Sequence, residues 1–78
     1  MAHQADHCDF IDVLEESLVT GRNVAVRLRS GEQFMDGVRE VVTRDGEDWA
    51  VFRDHAWVAV SDIGLLALVG ASIMVILA

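Results

Sequence analysis

The hydrophobic period of this chain changes at Thr20-Gly21, and that change constrains the fold more than any other feature. Before it, Phe10, Ile11, Leu14 and Leu18 recur at helical spacing with acids between them. The spacing predicts a helix over Asp9 to Val19, with Asp9 as N-cap and the early acids complementing the helix dipole. Gly21 suits the left-handed stop. Beyond it the pattern alternates. Val24, Val26 and Leu28 interleave with Asn23, Ala25, Arg27 and Arg29, a half-buried strand.

Further strands follow in quick succession. Ser30-Gly31 reads as a tight turn into a second strand, Gln33 to Val42, with Gly37 as its bulge or bend. Asp45-Gly46 centres the next turn, and Trp49 to Arg53 forms a third strand. Asp54-His55 turns the chain into a fourth, Ala56 to Val60. Leu65 to Val69 is a fifth, and Ile73 to Leu77 a further strand or interface segment. The expectation is a mainly β fold: a small curled five-stranded antiparallel barrel, Sm-like or SH3-like, with one N-terminal α-helix. The organisation is a single domain over 1–78, with a loose tail at 1–6, a helix at 9–19, a barrel at 23–69 and an apolar C-terminal segment at 70–78.

A chain of 78 residues has a thin core. The single Cys8 excludes an intramolecular disulfide. One cysteine and no signal-peptide pattern suggest a reducing, cytoplasmic setting. The apolar run from Ile63 would span about 22 Å as a helix, short of the ~30 Å hydrocarbon core, so no membrane anchor is expected.

Thirteen acidic residues face six arginines and no lysine, a formal net charge of -7. A phosphate backbone demands clustered cations, so strong direct nucleic-acid binding is not expected. The field favours a basic protein partner, although acidity by itself also serves solubility. The acids concentrate in "HCDFIDVLEE". On a helix, Asp9, Asp12 and Glu16 form one stripe, with Asp12 and Glu15 beside it. Repulsion between them would be relieved by a surface rich in Arg or Lys.

No enzyme constellation stands out. Cys8 with His7 or His55 lacks an orienting third group, and neighbouring carboxylates oppose thiolate formation. His3, His7 and Cys8 offer metal-ligand types without a fourth ligand, so no cofactor or metal is assigned. Trp49 and Trp57 are expected on adjacent strands as core. Arg27, Arg29 and Arg39 are expected to pair across strands with Glu32, Asp36 or Glu40.

"CDFIDVLEE" resembles the C-D-x-[aromatic]-D-x-L-E opening of the Rof proteins, the Rho-binding antiterminators. "VAVRLRSGE" is similar to that family's first strand and turn, "VVTRDGEDWAVF" to its passage from second to third strand, and "VAVSDI" to its closing L-x-L-D-x-I. The likeness runs without gaps from Cys8 to about Phe52, more than half the chain. Ile11 stands where the family commonly has an aromatic. The resemblance implies a helix on an Sm-like barrel, and an acidic protein that binds the basic RNA-binding surface of Rho, the hexameric termination factor. It would thereby block RNA access and inhibit Rho-dependent termination. The acidic positions that match are Asp9, Asp12 and Glu15, with a second contact region at Thr43 to Glu47. Together with the helix stripe, these give a partner-binding set of Asp9, Asp12, Glu15, Glu16, Arg44 and Asp45.

The apolar tail suggests a second reading, an interaction module that self-associates as a homodimer through Ile73, Val75, Ile76 and Leu77. Both faces of such a strand are apolar, and a thin core can hardly cover both.

Overall fold

A computed structural model describes residues 7–70 and 75–77, with side chains for 9–70. The elements are α1 (His7–Thr20), β1 (Asn23–Leu28), β2 (Gln33–Arg44), β3 (Glu47–Phe52), β4 (Val58–Ala59), a 3-10 turn (Val60–Asp62), β5 (Ile63–Leu68) and β6 (Val75–Leu77). The strands form one antiparallel sheet in the order β4-β3-β2-β1-β5-β6.

β2 gives the sheet its curl. Its first part, Gln33 to Gly37, pairs with β1, and from Val38 onward it pairs with β3. The handover falls at Gly37, and the register slips between Val38 and Glu40 as a bulge. A Cβ on Gly37 would collide with the Arg53 guanidinium, so the close approach of that side chain suits a glycine. The fold is therefore the mainly β, curled antiparallel sheet with an N-terminal helix that the change of period predicts.

The helix packs on the face of the sheet that carries the core. Phe10, Val13 and Leu14 are buried against Val24, Val26, Val38, Ala50, Phe52, Val58, Val60, Ile63, Leu66 and Leu68. Alternation along β1 puts Val24 and Val26 inside and leaves Asn23 and Arg27 exposed. At the end of α1, Gly21 adopts φ 73° and its N–H donates to the Ser17 carbonyl at 2.9 Å.

Several boundaries differ from expectation. α1 begins at His7, so Asp9 sits in its first turn instead of capping it. The buried stripe is completed by Ser17, not Leu18, which lies 38% exposed. The Ser17 hydroxyl is used twice: it donates to the Arg22 carbonyl at 2.6 Å and accepts from the Val38 N–H at 3.4 Å, joining the helix to β2. The fourth strand contracts to Val58–Ala59. Ala56 and Trp57 belong to the loop before it, and Val60 has entered the 3-10 turn.

β6 pairs with β5 within the chain, with Leu65 opposite Leu77, Leu66 opposite Ile76 and Ala67 opposite Val75. That covers the β5 edge internally and leaves β6 as the last strand of the sheet. The tail at 1–6 and Ile73 lie outside the described residues, as do the side chains of Val75, Ile76 and Leu77.

Candidate functional site

The acidic helix face is built by the same spacing that builds the core. With Phe10, Val13, Leu14 and Ser17 turned inward, Asp12, Glu15 and Glu16 are left exposed on the outside. Val19, 83% exposed, extends this face by one turn. Asp9 is half-buried and engaged in an interaction of its own. The arrangement can present carboxylate oxygens to guanidinium or ammonium donors from a rigid backbone.

The second expected region, Thr43 to Glu47, is a strand end and a tight hairpin. Thr43 pairs with Asp48 and Arg44 with Glu47, so only Asp45 and Gly46 turn. Both have positive φ, 54° and 77°, the pattern of a type I′ turn. Asp45 is exposed at the tip. Arg44 lies over the Trp57 ring, 5.0 Å from its centroid. Glu47 accepts a hydrogen bond from the Ser61 hydroxyl at 3.0 Å, which ties it to the 3-10 turn. The helix meets β2 at Val38 through Ser17, whereas Arg44 ends that strand, up to about 20 Å further along it. The structure thus places the helix face and the hairpin tip on different parts of β2.

A third cluster escaped the sequence reading. Asp36 is buried on β2. Its Oδ1 accepts from the Gly37 N–H at 2.7 Å, and its Oδ2 from the N–H groups of Asp54 and His55, both at 2.8 Å. Burial pushes this carboxyl upward. The three N–H donors and the nearby Arg53 outweigh that effect and hold it below the ordinary carboxylate range. His55 stacks on Phe34 with centroids 3.7 Å apart, and Phe52 meets both rings edge-on. Its Nε2 lies 2.7 Å from Glu32 Oε2 and its Nδ1 2.7 Å from the Ala56 carbonyl. The Glu32 hydrogen bond leads in raising the His55 pKa, followed by the Ala56 carbonyl, against a smaller opposing effect of burial. One signal for this cluster was available: Phe34, Asp36 and Val38 share strand parity, which puts a carboxylate on the inner face.

Other expectations are revised by this geometry. Trp57 is 43% exposed under Arg44 instead of forming core. Glu32 pairs with His55, and Asp36 with backbone N–H groups, instead of with arginines. Arg29 donates to the Ser61 carbonyl at 3.0 Å. Arg27 lines an open groove with Ala25, Gln33, Met35 and Leu65.

Among the described residues, no group of three or more His, Cys, Asp or Glu side chains could hold a metal ion, and no helix is long and apolar enough to cross a membrane. His3 lies outside the described residues, as do the side chains of His7 and Cys8. Comparison of the chain with protein-family models, with curated proteins and with solved structures finds no match.

Proposed function

We propose that this chain is a Rof-like, non-enzymatic inhibitor of Rho-dependent transcription termination, working in the cytoplasm. It binds the basic RNA-binding surface of Rho through its acidic helix and blocks RNA access. One observation carries the reading: Asp12, Glu15 and Glu16 are exposed together on a helix whose opposite face is locked into the core. Carboxylates held this way can take the place of RNA phosphates before Arg and Lys donors. Arg44 and Asp45 at the hairpin tip supply a second, smaller contact. The sequence resemblance from Cys8 onward supports the choice of Rho among basic partners.

The test is the double charge reversal Asp12→Lys with Glu15→Lys. Both residues are exposed, so folding is retained. Affinity for purified Rho should fall tenfold or more, about 1.4 kcal/mol. Unchanged affinity in a folded double variant refutes the proposal.

A second reading, an Sm-like module that self-associates, is supported by the position of β6 at the end of the sheet. An antiparallel pairing of β6 with a second copy would build a two-fold dimer. Light scattering at high micromolar concentration should then give the mass of two chains, and Ile76→Asp should shift it toward one. A monomeric full-length chain rejects this reading and leaves the first intact.

A further inference from the structure

The loop between β3 and β4 is held at two points of different chemistry. At its start, Asp36 accepts the N–H groups of Asp54 and His55. Further along, the His55 ring bridges Glu32 and the Ala56 carbonyl, each at 2.7 Å. A carboxylate and a carbonyl can only accept hydrogen bonds. A neutral imidazole carries one N–H, so it can donate to one of them and must turn a lone pair toward the other. The imidazolium donates to both. We propose that His55 is a proton-operated latch: protonated, it ties the loop carrying Trp57 to the turn between β1 and β2, and on losing its proton it releases one of the two attachments.

The surroundings agree with this assignment. Glu32 from the β1–β2 turn and Asp36 from β2 both favour the cation. Phe34 offers a ring face in parallel contact, and Phe52 an aromatic edge contact, so the positive charge lies against a π-surface. Within the loop, the charged neighbours in sequence are Arg53 and Asp54. Arg53 is held over Gly37 and acts on the Asp36 carboxylate. The Asp36 anchor uses backbone N–H groups and does not depend on the imidazole proton. Deprotonation therefore loosens the far half of the loop, Ala56 and Trp57, and with it the ring on which Arg44 rests. The latch sets the exposure of the Trp57 surface by pH, whatever partner that surface meets.

The test uses the full chain with Trp49→Phe, which leaves Trp57 as the sole tryptophan. The His55 ring is followed by NMR from pH 5 to pH 9, and acrylamide quenching of Trp57 fluorescence over the same range. The latch predicts a His55 midpoint above the ordinary histidine value of 6.5, with quenching that rises at that same midpoint. Glu32→Gln should lower both midpoints together by about half a pH unit or more. Quenching that stays flat while His55 titrates overturns the proposal. So does a His55 midpoint that Glu32→Gln leaves unmoved.

Discussion

Asp36 gives up water on folding and receives three backbone N–H donors in exchange. Two of them, on Asp54 and His55, belong to a distant part of the chain, so one carboxylate sets the path of a whole loop. Replacing it by Asn turns an NH2 group toward at least one of those donors. Asp36→Asn should destabilise the protein by about 2 kcal/mol in urea unfolding, the order expected for a buried group left with a mismatched partner. The pH dependence follows in sign. The folded pKa lies below the ordinary 3.8, so the stabilisation is complete well above 3.8 and is lost as pH falls through the depressed folded value. Asp36→Asn should flatten this acid limb of the stability curve; an unchanged acid limb would mean that other carboxylates control it. His55 has the opposite sign. Its folded pKa is raised, so its contribution is complete below 6.5 and is lost as pH rises through the folded value. Strand parity made the inward position of Asp36 legible. Its partners were not, because backbone donors from another loop leave no mark in side-chain pattern.

The elements were legible wherever local chemistry alone decided them. The period of 3.6 marked α1, alternation marked β1, and Asp45-Gly46 marked a hairpin turn. The tripartite path of the fourth strand was not legible. "AWVAV" has strand composition, yet Ala56 and Trp57 stay in the loop fixed by Asp36 and His55, and Val60 begins a 3-10 turn. Tertiary anchoring overrides propensity there. The acid face of α1 was legible because part of its apolar complement was: once Phe10 and Leu14 face inward, Asp12 and Glu15 cannot. The same coupling makes the helix vulnerable. Leu14 is fully buried, and Leu14→Ala should cost about 3 kcal/mol by transfer and cavity terms. A domain this small has a total stability of roughly 5 kcal/mol, so the variant should show a large drop in its thermal midpoint. Glu16→Ala, on the exposed face, should leave the midpoint nearly unchanged. Equal effects of the two substitutions would mean that the helix is not docked by this face.

At the scale of the whole molecule, charge and topology act separately. The net charge of -7 resists phosphate backbones even though Arg27, on β1, and Arg29, in the turn just past its end, line one depression. The isolated protein should show no micromolar complex with single-stranded RNA at physiological salt in fluorescence anisotropy. A micromolar or tighter complex would assign the arginines a direct role. Topology has its own consequence, which lies in the pairing of β1 with β5. The β1–β2 and β2–β3 hairpins join neighbours in sequence, but Val24 meets Leu68 only after almost the whole sheet has been strung between them. Loop-closure entropy opposes that last contact most strongly, and high contact order slows folding. The early hairpins therefore wait, with one β1 edge unpaired, until the C-terminal part of the chain returns. During synthesis that edge stays open until β5 has left the ribosome, which makes the interval before β5 emerges the period in which a nascent chain is most exposed to wrong strand partners.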